Sequence, residues 1–323
     1  LTALFSMFMS NTATTAMMFA IIHPVLNSFH PEDKGRAGVI LGIPFAANIG
    51  GIGTPIGTPP NAIALKYLTG PNAISFGEWM GIGVPYVLIM LAAVWLVLIR
   101  LFPFQTREVI LRIEGRFLTH AKAVVMYITF GVTILLWITE SLHGMNSYIV
   151  AVIPVAVFSI TQVITKEDLK LISWDVLWLV AGGIALGLGL EKSGLSKNLV
   201  ESIPFNTLSP YMIVVICSLF TFGIANFMSH TAAANLVLPI VAALSLSLSS
   251  LEPLGGVRML VLTVTFTSSL SMVLPISTPP NAIAYASGMV NTRDMSRAGL
   301  IIGLLGIGAI FLLMYALKLV QYF

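Results

Sequence analysis

Residues 50–61 read GGIGTPIGTPPN and interrupt an apolar stretch that runs from residue 37 to residue 69. Glycines permit irregular turns, and paired prolines remove backbone donors and end the preceding helix, so this stretch predicts a helix that breaks and resumes. Its helical pieces, 37–50 and 61–69, together reach roughly 35 Å at about 1.5 Å per residue. That length is enough for one broken crossing of a bilayer.

The proline motif and a second motif each occur twice in the chain. GTPPNAIA begins at Gly57 and STPPNAIA at Ser277, while SNTATTAM begins at Ser10 and SHTAAANL at Ser229. The two motifs keep the same order at offsets of 220 and 219 residues. Two separate motifs rarely recur in this way by chance. We interpret the pattern as a duplicated unit of roughly 200 residues, as in many secondary transporters.

The composition is that of a membrane protein. Hydrophobic residues make up 57% of the 323 residues and charged residues only 9%, whereas an ordinary soluble domain is roughly a quarter charged. The mean hydropathy is +0.95. These values exclude a soluble enzyme, a nucleic-acid-binding protein and a disordered chain. We predict an all-α polytopic membrane protein, located in a bacterial inner (plasma) membrane.

Apolar segments of about 20 residues predict the crossings. Five are uninterrupted: 80–102, 121–142, 147–163, 174–192 and 298–320. Four are broken by polar, glycine or proline residues: 1–26, 37–69, 211–249 and 257–287. Segment 211–249 as one helix would reach roughly 58 Å, so it turns back, either as a re-entrant hairpin or as two spans. The stretch 103–119 is either an interfacial amphipathic piece or a solvated loop.

Basic residues in the loops orient the chain. With loop 103–120 in the cytoplasm, eleven loop Lys and Arg residues face the cytoplasm and three face outside, as the positive-inside rule requires. Five crossings separate the two hairpins that carry the SNT and SHT motifs, and because five is odd, the two repeats are inverted. The second repeat starts near residue 121, so we expect the opening helices of the first repeat to be missing from this sequence.

The broken segments predict the binding site. Unwound backbone inside a membrane is tolerated only where it is buried or lines a cavity, so four breaks predict one composite site near the midplane. Hydroxyls, an Asn carbonyl and backbone carbonyls suit Na⁺, whereas amide donors and helix N-termini suit an anion. No Lys or Arg lies in the middle of an apolar segment, which favours cation-coupled anion transport. The alternative is that these hydroxyls only join helices.

His230 stands where the repeat predicts an asparagine, since its counterpart is Asn11. A histidine inside a membrane is a functional candidate because ionisable groups are costly there. It serves either as a proton acceptor or fixed partial cation, or as a neutral ring that hydrogen-bonds as an asparagine amide does.

The paired SNT/SHT and TPPN motifs resemble those of the divalent anion/sodium symporters, the family of dicarboxylate and citrate transporters. The resemblance covers nearly the whole chain. It implies a homodimer in which a transport domain moves as an elevator against a scaffold domain. The implied substrates are succinate, malate, fumarate, 2-oxoglutarate and citrate, or sulfate in some relatives. The transport elements would be 1–69 and 174–287, and the scaffold elements 70–120, 121–173 and 288–323.

The resemblance also implies which residues bind. The first Na⁺ site would comprise Ser6, Ser10, Asn11 and Gly57. The substrate ligands would be Asn11, Thr12, Thr58, Pro59, His230, Thr231, Thr278 and Pro279. The second Na⁺ site, at Ser277 and His230, departs from the family pattern in two ways. Ala225 stands where the first repeat has Ser6, and His230 stands where family symporters have asparagine. Both changes remove oxygen ligands, so His230 could replace that cation, as expected in family members that exchange dicarboxylates without sodium.

We therefore expect a sodium-coupled secondary transporter of di- or tricarboxylates, and not an enzyme. The alternatives are a sodium-independent dicarboxylate exchanger of the same fold and a sulfate transporter. An intramembrane hydrolase is disfavoured, because neither HExxH nor GxSxG occurs and the adjacent Ser229 and His230 do not face each other on a helix. An anion channel would be distinguished by its currents.

Overall fold

The computed structural model describes residues 1–26, 29–30, 33–105, 118–145, 147–171, 208–320 and 322, together with isolated positions between 174 and 198. Within these ranges the regular structure is helical. Six of the described helices are long and apolar enough to cross a membrane, namely Gly35–Gly53, Phe76–Leu101, Ala121–Ile138, Pro210–Phe227, His230–Ser247 and Thr292–Leu319. The prediction of an all-α polytopic membrane protein is confirmed. Most of the span predicted at 174–192 and most of the stretch 103–119 lie outside the described residues.

Twelve helices carry the fold within the described ranges, and shorter turns connect them. In chain order they are α1 (Thr2–Ser6), α2 (Asn11–Leu26), α3 (Gly35–Gly50), α4 (Pro59–Leu65), α5 (Phe76–Leu101), α6 (Ala121–Ile138), α7 (Ser147–Ile160), α8 (Pro210–Phe227), α9 (His230–Ser247), α10 (Gly256–Ser269), α11 (Pro279–Ala286) and α12 (Thr292–Leu319).

Two helices break at the TPPN motifs, as the sequence predicts. Unwound backbone with one 3₁₀ turn, Gly51–Gly53, joins α3 to α4. A second unwound stretch, with a 3₁₀ turn at Pro275–Ser277, joins α10 to α11. Pro59 and Pro279 occupy the first positions of α4 and α11, where a missing N–H group costs nothing because the first turn has no partner for it.

Two hairpins turn at the SNT and SHT motifs. α1 packs against α2, and α8 packs against α9. Ser10 Oγ accepts a hydrogen bond from Ala13 N at 3.1 Å, and Ser229 Oγ accepts one from Ala232 N at 3.1 Å. Serine therefore caps the second arm of each hairpin, which satisfies an N–H group that the helix itself cannot pair.

The broken helices lie at the centre of the main hydrophobic core, covered by α5 and α12. These two helices pack against each other, α5 against α3 and α12 against α10. Trp79 of α5 donates from Nε1 to the Ile52 carbonyl at 3.0 Å, and the Tyr86 hydroxyl donates to the Gly306 carbonyl of α12 at 3.1 Å. Both rings lie against Phe266 of α10. One aromatic cluster thus links α5, α10 and α12.

α6 and α7 pack together beside this core and form a second, smaller hydrophobic cluster. Phe76 at the start of α5 stacks on Trp137 of α6, with ring centroids 5.0 Å apart. The Phe76 N–H also donates to Glu140 Oε2 at 3.1 Å. The two clusters therefore meet at the N-terminal end of α5. The division of the chain into transport and scaffold domains stays a prediction.

Glycines let the covering helices approach the unwound backbone closely. A Cβ atom on Gly83 of α5 would lie 2.9 Å from the Ile52 carbonyl oxygen, and one on Gly299 of α12 would lie 2.5 Å from the Met272 carbonyl oxygen. Side chains at these positions would push α5 and α12 away from the breaks.

We predict that Gly299→Ala destabilises the protein by about 1–3 kcal/mol, because the added methyl group meets backbone that cannot rotate away. Gly308→Ala in the same helix is the matched control, since nothing lies within 4 Å of a Cβ there. The control should be neutral or stabilising by up to about 1 kcal/mol. Thermal unfolding of the purified protein in detergent measures both, and equal melting temperatures would contradict the close approach.

Candidate functional site

Each short half-helix is held by helices from the other half of the chain. α4 packs against α9 and α10, and α11 packs against α2 and α3. A hydrogen bond joins the halves directly, because Asn48 Nδ2 of α3 donates to Thr278 Oγ1 at 3.2 Å. The two TPPN motifs therefore belong to one interlocked centre, as a composite site requires.

A buried asparagine clamps each unwound segment. Asn61 Nδ2 donates to the Gly51 and Thr54 carbonyls at 2.9 and 2.8 Å. Asn281 Nδ2 donates in the same way to the Met272 and Leu274 carbonyls at 2.8 and 3.1 Å. Both side chains are fully buried. The carbonyls lost from the helical ladder are thus paired inside the protein, where lipid could not pair them.

These asparagines were not among the predicted binding residues. The signal for them was present, since asparagine follows the two prolines in both copies of the motif at Asn61 and Asn281. A third asparagine, Asn226 of α8, has no such signal, because Met7 is its counterpart 219 residues earlier. Asn226 Oδ1 accepts from the Val273 N–H at 2.9 Å and so holds the second unwound segment.

The structure brings together three of the four residues predicted for the first Na⁺ site. Ser6 Oγ donates to Asn11 Oδ1 at 2.6 Å. A Cβ atom built on Gly51 would lie 2.7 Å from Asn11 Oδ1 and 3.1 Å from the Gly57 carbonyl oxygen. Ser6, Asn11 and Gly57 therefore present a hydroxyl, an amide and a carbonyl oxygen around one glycine.

The tip of the first hairpin is exposed. Ser10, the fourth residue predicted for that Na⁺ site, is exposed at the tip, where its hydroxyl caps α2. Thr12, predicted to bind substrate, is also exposed. Below the tip, Thr54 Oγ1 donates to the Met7 carbonyl and so fastens the turn of the hairpin to the first unwound segment.

The equivalent position in the second half is organised around His230. Its ring is buried, and Nε2 lies 2.7 Å from the carbonyl oxygen of Ser271, the residue equivalent to Gly51 in the first half. A carbonyl oxygen only accepts, so Nε2 carries the proton in this bond. The neighbouring Thr231 is also buried. A ring N–H group thus lies where the first half has the amide of Asn11.

The hydroxyl of Ser277, a residue predicted for the second Na⁺ site, is hydrogen-bonded to the backbone around it. This hydroxyl donates to the Asn226 carbonyl at 2.9 Å and accepts from the Leu274 N–H at 3.1 Å. Ala225, on the hairpin arm above, is buried and adds no oxygen atom from its side chain. The two halves therefore differ in chemistry although their backbones follow the same course.

The predicted substrate ligands Thr58 and Thr278 are both buried, and they have nearly identical backbone angles, φ −148° and ψ 148° against φ −146° and ψ 148°. Each precedes a half-helix, α4 or α11. Pro59 is half-buried and Pro279 is exposed. Within the described part of the chain, no cluster of His, Cys, Asp or Glu could hold a metal ion. The polar atoms named above around the breaks belong to hydroxyl, amide, imidazole and backbone groups.

The model of the citrate transporter family matches residues 1–257. The chain belongs to the citrate transporter family. The relationship implied by the SNT/SHT and TPPN motifs is confirmed, and so is the prediction of a transporter rather than an enzyme.

Several relatives of this chain carry names that state a transport activity. This chain is 31% identical, over an aligned length of 366 residues, to the sodium-dependent high-affinity dicarboxylate transporter 3 of Caenorhabditis elegans. The alignment covers 94% of this chain and 64% of that protein. The chain is 32% identical over 356 residues to the sodium-dependent dicarboxylate transporter of Staphylococcus saprophyticus, covering 98% of this chain and 67% of that protein. An uncharacterised transporter of Schizosaccharomyces pombe is 33% identical over 289 residues, which cover 86% of this chain and 32% of that protein.

We predict that Asn281→Asp destabilises the protein by about 1–3 kcal/mol for each carbonyl that loses its donor. The substitution keeps the size of the side chain but turns an oxygen atom towards the Met272 and Leu274 carbonyls. Asn291→Asp is the matched control, because Asn291 caps α12 at an exposed position and aspartate caps helices equally well. Thermal unfolding compares the two, and an unchanged melting temperature for Asn281→Asp would contradict the clamp.

Proposed function

We propose that the protein is a secondary transporter that carries di- or tricarboxylate anions across a membrane, with sodium coupled at the first site. The observation that carries the proposal is the pair of clamped, unwound TPPN segments, joined at the centre by Asn48 and Thr278. The sodium-dependent dicarboxylate transporters among the relatives support the same substrate class.

Sodium fits the first site because the oxygen atoms gathered there are neutral and belong to small groups. The hydroxyl of Ser6, the amide of Asn11 and the carbonyl of Gly57 are ligands that hard cations prefer. Ser10 stands at the start of α2 and would complete this set from the exposed hairpin tip. A cation held there would add positive charge beside the substrate.

The substrate would lie between the hairpin tips and the two TPPN segments. Asn11, Thr12 and Thr231 at the tips, together with Thr58 and Thr278, supply hydroxyl and amide donors, and the N-termini of α2 and α9 favour negative charge. Pro59 and Pro279 would line the same space. Succinate, malate, fumarate, 2-oxoglutarate and citrate have carboxylates that fit such donors, and sulfate is the alternative anion.

A sodium-independent dicarboxylate exchanger is the second candidate function, and one contact favours it. His230 Nε2 donates to the Ser271 carbonyl at 2.7 Å, so a ring N–H group satisfies an oxygen atom that a cation could otherwise bind. We infer that His230 replaces sodium at the second site, leaving Ser277 bonded to backbone. Coupling would then rest on the first site alone or be lost.

We further propose that transport proceeds by an elevator movement of inverted repeats within a homodimer. The packing supports one change in the predicted division of the chain, which assigned 70–120 and 288–323 to the scaffold. α5 and α12 pack directly on the broken helices. α5 is also tied to them by the hydrogen bond from Trp79 to Ile52 and by the contact of the Trp79 ring with Phe266. We therefore group both helices with the transport domain, and α6 and α7 with the scaffold.

Uptake of labelled succinate by the full-length protein in proteoliposomes tests the proposed function. An inward sodium gradient is applied in one experiment, and internal unlabelled succinate without sodium in the other. Uptake that needs the gradient supports a symporter, and uptake that needs internal substrate supports the exchanger. Failure of both would overturn dicarboxylate transport, and the same two experiments with citrate and sulfate would then identify the anion.

We predict that Asn11→Ala and Thr231→Ala each abolish succinate uptake, because each removes a polar ligand from a hairpin tip. Thr2→Ala, remote from the tip at the start of α1, serves as the control and should transport normally. Elution of each purified variant as a single peak on size exclusion shows that folding survives. Wild-type rates in both tip variants would contradict the assignment of the binding site.

We predict that His230→Asn makes uptake depend more steeply on sodium, because the asparagine oxygen restores a ligand that the ring N–H group displaces. The measurement is the initial rate of uptake against sodium concentration, at constant ionic strength with choline. His143→Asn, at the end of a short helical turn outside the hairpins, is the control. An unchanged sodium dependence in His230→Asn would contradict the replacement of a cation by the ring.

A further inference from the structure

The two clamping asparagines differ in one contact. Both amides are oriented by their Nδ2 groups, which each donate to two backbone carbonyls, so the Oδ1 atoms point in equivalent directions. Asn281 Oδ1 accepts from Asn48 Nδ2 at 3.4 Å. Asn61 Oδ1 is buried and has no hydrogen-bond partner among the described residues.

The cause lies at the position equivalent to Asn48. At an offset of 220 residues that position is Ser268, in the last turn of α10. α10 packs against α4 as α3 packs against α11. Serine is shorter than asparagine and lacks an amide N–H group, so the donor that satisfies Asn281 has no counterpart for Asn61.

The hydroxyls of this part of α10 present acceptors. Thr265, Thr267 and Ser268 are fully buried, and each donates its proton to a carbonyl of its own helix at 2.6–2.7 Å. The proton of each hydroxyl is therefore engaged, and its oxygen lone pairs remain available to a ligand. α10 packs against α4, so the unpaired Asn61 Oδ1 and these hydroxyl acceptors belong to neighbouring helices. A positively charged ligand or a donor between the helices would satisfy both.

We propose that Asn61 Oδ1 and Ser268 Oγ are ligands of an additional Na⁺ site, between α4 and the C-terminal end of α10. Amide and hydroxyl oxygens suit this hard cation, and the last turn of a helix carries partial negative charge that favours a cation. The site differs from the one at Ser6, Asn11 and Gly57 and from the position of His230. It rests on the proposed function, because the ion bound there would be coupled to transport.

The substitution Ser268→Asn tests the site by restoring the symmetry of the two halves. Its amide N–H group would pair with Asn61 Oδ1 as Asn48 pairs with Asn281. We measure melting temperatures of the purified full-length protein in sodium chloride and in choline chloride at equal ionic strength. Ser6→Ala should keep part of the sodium-dependent shift, Ser268→Asn should lose the complementary part, and the double variant should lose all of it. Ser268→Asn should also melt above wild type in choline.

The matched control is Ser247→Asn, at an exposed serine of α9 whose hydroxyl also donates to a backbone carbonyl of its own helix. It should keep the full sodium response. Should Ser268→Asn fail to fold, Ser268→Ala removes the hydroxyl ligand alone and should raise the half-saturating sodium concentration about tenfold.

Two results would overturn the site. One is a Ser268→Asn protein that melts higher in both salts with an unchanged sodium shift, which would identify a buried water in place of the ion. The other is complete loss of the sodium response in Ser6→Ala alone. Either result with sodium-driven uptake intact in proteoliposomes would leave the proposed function standing. A wild-type protein with neither sodium-driven uptake nor a sodium shift would overturn both.

Discussion

Backbone carbonyls that leave a helix inside a membrane must find donors in the protein, and this requirement shapes the centre of the molecule. Lipid offers no donor, and an unpaired carbonyl there costs several kcal/mol, about the whole margin of stability of a small domain. Asn61 and Asn281 meet the requirement with one amide for two carbonyls in each half. Because the unwound segments are held in this way, α5 and α12 can lie directly on them.

The same centre explains why the two halves act as one unit. Each half-helix is packed by helices of the other half, and the bond from Asn48 to Thr278 crosses between them. Helix packing and this hydrogen bond therefore join the two halves at the breaks. We therefore propose that a bound cation balances the charge of a substrate anion held by these neutral groups.

The two halves of the chain carry breaks at equivalent positions, and single differences in sequence make these breaks chemically different. Asn11 is replaced by His230, and Ser6 by Ala225, so one site gathers oxygen ligands while the other holds a ring N–H group against a carbonyl. Asn48 is replaced by Ser268, which leaves Asn61 Oδ1 without the partner that Asn281 has. The chemistry of the two breaks thus differs although Thr58 and Thr278 have nearly identical backbone angles.

The sequence alone determined the helical class, the places where helices break, and the membership of a transporter family. The class and the breaks follow from local chemistry, since apolar length, proline and glycine act within a few residues. Tertiary structure alone decided the partners of Asn61 and Asn281, the role of Asn226, the bond of His230 to Ser271, and the packing of α5 and α12 on the breaks. An amide or a ring can pair with many groups, and which one it meets depends on segments that are distant along the chain, as Asn48 and Thr278 are at a separation of 230 residues.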